Sequence, residues 1–79
     1  ICIKPYAVPL CAQQLEGTGI LTCTVVGFPH GSHLPRVKAL ETQLAFEGGA
    51  REIDMVANVG KAQSLDREFL REDIGAVLE

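Results

Sequence analysis

Tryptophan is absent from the 79 residues, and tyrosine and methionine occur once each. Aromatic side chains make up 5% of the chain, too few to interleave with basic residues as a stacking platform for nucleic acid. Positive charge is also scarce. Seven Lys and Arg against ten Asp and Glu give a mild net charge of −3, and no basic patch forms. A nucleic-acid partner is therefore not expected. No apolar run approaches the roughly 18 residues that span a bilayer, so no membrane partner is expected either. A signal-peptide pattern is lacking. The three cysteines, Cys2, Cys11 and Cys23, are odd in number, sit in apolar surroundings and form no CxxC. This argues against a disulfide frame or a zinc site and predicts reduced thiols in a cytoplasmic protein. There is no nucleotide-binding glycine fingerprint, because Gly17-Thr18-Gly19 precedes a strand pattern rather than opening a helix after one.

What remains is a regular alternation. Ile1-Cys2-Ile3 reads as a strand end, with Ile1 and Ile3 on one face and Cys2 and Lys4 on the other. Pro5 and Pro9 bracket the first turn of a helix. Val8, Cys11, Ala12 and Leu15 then follow at helical spacing. Gly17 and Gly19 end that helix. Leu21 to Val26 reads as a second strand, and Gly27-Phe28-Pro29-His30-Gly31 as a loop. Ser32 is a plausible N-cap for a second helix with Pro35 in its first turn and Val37, Leu40 and Leu44 as its apolar stripe. Gly48-Gly49 closes it. Glu52 to Asn58 is the third strand, and residues 60–64 read as a loop. A final helix is expected from Ser64 to Asp66 onward, carrying Leu70, Ile74, Val77 and Leu78.

Strand, helix, strand, helix, strand, helix implies an α/β fold with parallel strands and right-handed crossovers. Three such units suit an open doubly wound sheet or part of a (β/α)8 barrel. The third strand favours the barrel. Ile53, Met55, Ala57 and Val59 form an apolar face, whereas the opposite face carries Glu52, Asp54, Val56 and Asn58. Central strands of an open sheet are apolar on both faces, but a barrel strand can carry polar groups toward its C-terminal mouth. The chain starts and stops inside apolar patterns, so residues 1–79 read as a fragment of a barrel domain. Alone, with open sheet edges, it is expected to be neither stable nor active.

Asp54 is the first candidate for chemistry. It can act as an acid–base group, its charge held by a lysine from another strand. It can equally be one half of an ion pair that fixes strand register. Glu52, at the strand start, reads as structural. Cys2 shares a strand face suited to the same cavity, or is a small core residue. Phe28, just past a strand end, is a pocket wall or core. Cys11 and Cys23 read as core residues alone. His30 and His33, in a Pro/Gly loop, read as a loop hydrogen-bonder and a solvated residue rather than metal ligands. Lys38 reads as solvated on its helix, and Lys61 as a surface residue near the barrel mouth.

Ile1-Cys2-Ile3-Lys4-Pro5-Tyr6, Cys23-Thr24-Val25-Val26-Gly27-Phe28-Pro29-His30-Gly31, and Gly49-Ala50-Arg51-Glu52-Ile53-Asp54-Met55-Val56-Ala57-Asn58-Val59-Gly60 carry a resemblance. Together with Glu72-Asp73-Ile74, these stretches resemble the deoxyribose-phosphate aldolase family over essentially all of the chain. FPHG and EIDMV, beginning at residues 28 and 52, are the specific signals. The resemblance implies a class I aldolase on a TIM barrel, with strands two to four present here. It implies reversible cleavage of 2-deoxy-D-ribose 5-phosphate to acetaldehyde and D-glyceraldehyde 3-phosphate through a lysine Schiff base. Asp54 matches the family's proton-shuttle aspartate, and Cys2 and Phe28 match positions near its substrate pocket. No metal and no cofactor are implied. The partner is a small phosphorylated sugar, and a homo-oligomer is compatible with the family. The Schiff-base lysine, the second lysine and the phosphate-binding loops match nothing in these 79 residues, and Lys61-Ala62-Gln63-Ser64-Leu65 departs from the family's common run. The rival readings are another Schiff-base barrel aldolase, a zinc-dependent class II aldolase and a non-catalytic α/β domain.

Overall fold

The computed structural model describes residues 1–78; Glu79, at the end of the C-terminal apolar pattern, lies outside the described residues. Three strands, β1 (Cys2–Ile3), β2 (Cys23–Val26) and β3 (Glu52–Met55), form one parallel sheet in the order β1-β2-β3. A 3-10 turn over Pro5–Ala7 and helix α1 (Val8–Gln14) connect β1 to β2. Helix α2 (Pro35–Gly48) connects β2 to β3, and α3 (Val59–Gln63) and α4 (Arg67–Leu78) follow. These are successive βα units, as the alternation predicts.

The register sorts the side chains. Cys2 pairs with Cys23 and Cys23 with Glu52, while Val25 pairs with Asp54. Paired residues of a parallel ladder share a face. Cys2, Cys23, Val25, Glu52 and Asp54 therefore lie on one side. Ile3, Thr24, Val26, Ile53 and Met55 lie on the other, toward the helices. That side is the core: Val8, Ala45 and Ala50 are buried together, with Ile3 and Ile53 packed against them. Thr24 is fully buried there because its hydroxyl donates to the Ile3 carbonyl at 2.7 Å, which satisfies a group that would otherwise be costly to bury. The α1 stripe behaves as expected, with Val8 and Cys11 buried.

Several boundaries differ from the sequence reading. Helix α2 starts three residues after Ser32, at Pro35, with extended Leu34 before it and no side-chain cap. A residue preceding proline is pushed out of the helical region, so Leu34 cannot join the helix and Pro35 takes its first position. Strand β2 omits Leu21 and Thr22, and β3 ends at Met55 rather than Asn58. Asn58 is instead a cap: its side-chain oxygen accepts the Lys61 N–H at 3.0 Å. This turns the expected loop over residues 60–64 into α3. Asp66 caps α4 likewise, accepting the Phe69 N–H at 3.1 Å.

The α2 stripe is also displaced. Val37, Leu40 and Leu44 are 37%, 53% and 58% exposed. The buried residues are Lys38 and Ala45, each one position further along. The sheet-facing side of α2 is therefore the neighbouring face, and it admits a lysine only because that lysine is paired.

Lys38 is the largest departure. It was expected in solvent, yet it is fully buried. Its Nζ donates to Asp73 Oδ2 at 2.6 Å and to the Val56 carbonyl at 3.0 Å. One ammonium thus ties α2 to α4 and to the chain just beyond β3.

Candidate active site

Asp54 is the third residue of β3, on the face away from the helices, and its side chain is exposed. Cys2 from β1 and Cys23 from β2 share that face. The two sulfur atoms and an Asp54 carboxylate oxygen all lie within 4.8 Å of one another. The ladder explains this convergence. Cys2 and Cys23 are register neighbours, and Asp54 stands two residues along from Glu52, the register partner of Cys23.

The sequence suggests only a core role for Cys23; it is buried, but its sulfur belongs to this cluster. Strand parity was the signal, because Thr24 and Val26 face the helices and Cys23 must then face away. Burial pushes the Cys23 thiol up from 9.0 to about 11, helped by the hydrogen bond and charge of Cys2 and by the charge and hydrogen bond of Asp54. A buried thiolate beside a carboxylate is disfavoured on both counts, so Cys23 is a neutral thiol at neutral pH.

The lysine partner expected for Asp54 belongs to another strand, and the resemblance puts the family's two lysines beyond residue 79. Among the described residues the salt bridges are Lys38–Asp73 and Lys61–Asp66, and Asp54 takes part in neither. Lys61 is half-exposed, 3.5 Å from Asp66 Oδ2 and 5.0 Å from the Phe69 ring centroid, so it is committed to the α3–α4 corner.

The loop after β2 is set by backbone contact. Gly27 and Gly31 both have positive φ, and the Gly31 N–H donates to the Gly27 carbonyl at 2.7 Å. The Gly31 Cα sits against the carbonyls of Val56 and Ala57, where a Cβ would collide. Glu41 accepts the Gly27 N–H at 3.0 Å. The loop is thus clamped between α2 and the end of β3. Phe28 rides on it, two residues past β2 and 63% exposed. It lies at the sheet end toward which Asp54 is placed. His30 and His33 are exposed, and neither belongs to the Cys2, Cys23 and Asp54 cluster.

Comparison with known proteins bears on this arrangement. No family model matches the chain. The chain is 52% identical over all 79 residues to a deoxyribose-phosphate aldolase of Acholeplasma laidlawii, covering 36% of that protein. It is 47% identical over 79 residues to a deoxyribose-phosphate aldolase of Streptococcus uberis, again covering 36% of it. Over its full length the chain is thus similar to deoxyribose-phosphate aldolases. Among solved structures, an aldolase named QR15 superposes with a TM-score of 0.88 at 32% identity, over 96% of this chain and 34% of that one. The tetrameric deoxyribose phosphate aldolase of Aeropyrum pernix gives 0.82 at 28%, over 98% and 31%. The parallel strands and helices therefore match one section of those TIM-barrel structures. The chain spans about a third of the length of the relatives it matches. No helix among the described residues is long and apolar enough to cross a membrane.

Proposed function

We propose that this chain is a section of a deoxyribose-phosphate aldolase barrel domain, a carbon–carbon lyase that reversibly cleaves 2-deoxy-D-ribose 5-phosphate to acetaldehyde and D-glyceraldehyde 3-phosphate. The observation that supports this best is the pairing of full-chain similarity to aldolases with the Asp54 carboxylate on the sheet face away from the helices. Asp54 shuttles protons. A lysine beyond residue 79 supplies the amine, which attacks the sugar carbonyl and forms an iminium. The iminium accepts the electron pair released as the carbon–carbon bond breaks, leaving an enamine that must be protonated.

Cys2 and Phe28 bound the substrate. Cys2 contributes a small thiol beside Asp54, and Phe28 an exposed ring past β2. No cofactor takes part. The protein acts in the cytoplasm on a small phosphorylated sugar; a homo-oligomer is consistent with the tetrameric state named for the A. pernix relative.

The test is borohydride reduction of the natural full-length protein with deoxyribose 5-phosphate, followed by peptide mass mapping. A reduced sugar-derived adduct on one lysine beyond residue 79 is the expected result. A folded protein that shows no adduct would move the weight to a metal-dependent or non-catalytic reading.

A further inference from the structure

We infer that Cys2, Cys23 and Asp54 form a binding site for one thiophilic divalent cation of the zinc type, which acts as an inhibitor. The inhibition, though not the binding, rests on the function proposed above.

The site is built by the sheet rather than by chance proximity of surface side chains. Register places Cys2 beside Cys23 on neighbouring strands, which run about 4.8 Å apart. The next strand, β3, brings Asp54 to the same face. Three donor atoms then lie within 4.8 Å of one another. A tetrahedral ion with metal–sulfur bonds of about 2.3 Å needs its two sulfurs about 3.8 Å apart, so small side-chain rotations bring the three donors onto one ion. Two of the donors are sulfur, which selects soft or borderline cations and disfavours magnesium and calcium. On binding, each thiol releases its proton to solvent as its sulfur bonds the metal, and the carboxylate contributes an oxygen lone pair.

Three protein ligands leave a fourth position open. That suits reversible occupation rather than a permanent structural ion. The bound ion would occupy the Asp54 oxygen required for proton transfer, so catalysis should stop while it is present. The third thiol provides an internal control: Cys11 lies on α1, in contact with the Thr22 hydroxyl at 3.8 Å, and is not part of the cluster.

The probe is cadmium chloride added to the reduced, metal-free natural full-length protein. Thiolate-to-cadmium charge transfer in the ultraviolet and calorimetry report binding. One saturable equivalent is expected, displaced by zinc but not by magnesium. Cys2→Ser and Cys23→Ser should each weaken binding by more than about tenfold, the lower end of what even an indirect ligand partner costs. Cys11→Ser should leave it unchanged. Asp54→Asn should weaken binding while keeping the charge-transfer band. Cys23 is buried, so if its variant misfolds, Cys2→Ser at an exposed position carries the test. No saturable band, or a band indifferent to Cys2→Ser, overturns the site. In a separate arm, zinc should inhibit sugar-phosphate cleavage and a chelator should restore it. Saturable binding without inhibition would keep the site and overturn the inhibition. A folded protein with neither activity nor a borohydride adduct would sink the aldolase reading and still allow the binding to be measured.

Discussion

Lys38 Nζ donates to Asp73 Oδ2 at 2.6 Å with both side chains fully buried. The same nitrogen donates to the Val56 carbonyl, two residues past Asp54. Asp73 Oδ1 has no hydrogen-bond partner among the described residues, so Asp73 depends on this one ammonium. Removing one member of a buried pair leaves an uncompensated charge and costs about 3–5 kcal/mol. Lys38→Met should therefore destabilise the full-length protein by that order in urea denaturation. Lys38→Met combined with Asp73→Leu should cost less than the two single changes summed, because the second change removes the stranded charge. Additive effects would show that the two residues do not act as a pair.

The contact of Gly31 with the end of β3 makes a second prediction, with opposite signs at two glycines. Gly31 has φ +67, and a Cβ there would run into the Ala57 carbonyl. Gly31→Ala should destabilise by more than about 1 kcal/mol, since both the backbone and the neighbour resist it. Gly75 lies inside α4 with nothing within 4 Å of an added Cβ. Gly75→Ala should stabilise by roughly 0.5–1 kcal/mol through helix propensity. Thermal melts of the two variants decide this, and equal shifts would contradict the backbone argument.

The contrast between these residues shows what a sequence discloses. The βα alternation, the α1 stripe and the two faces of β3 follow from local periodicity, which one chain segment carries by itself. The burial of Lys38 does not. Its partner Asp73 is 35 residues away, and a lysine on a helix looks solvated until the helix packed beside it is known. The α2 stripe misled for the same reason, because which of two adjacent faces meets the sheet is decided by packing. Asp54 was visible as an acid on an alternating strand. The convergence of Cys23 with it needed the strand register. Asn58 was hidden by its position in an apolar run, although an asparagine three residues before a free N–H is a cap signal.

Titration of Cys23 gives a signed prediction. Burial is the first cause of the shift of its thiol from 9.0 to about 11, with Cys2 and Asp54 adding to it. The unfolded thiol loses its proton near 9, whereas the folded one keeps it to about 11. Across that window the folded state binds more protons, so this contribution to stability is complete below about pH 9 and fades as pH rises toward about 11. Denaturation midpoints of the parent and Cys23→Ala should therefore converge or cross on the alkaline side, with Cys23→Ala the less pH-sensitive. All other groups are common to both proteins and cancel in the comparison. Parallel alkaline slopes would place the Cys23 thiol near its ordinary value.

Asp54 carries the sharpest functional expectation. If it moves protons at the enamine carbon, the isosteric Asp54→Asn cannot accept or return a proton, and turnover in the full-length protein should fall by more than about 100-fold. The fold should hold, because asparagine matches aspartate in size and keeps a hydrogen-bonding oxygen at this position. Under the proposed mechanism, borohydride adduct formation with substrate should survive in Asp54→Asn at a reduced rate, since the proposed amine belongs to another residue. Turnover near the parent's, with the adduct forming at the parent's rate, would reduce Asp54 to a strand-register residue. Loss of both activity and thermal stability would instead mark it as structural, and the two cases separate on a single melting curve.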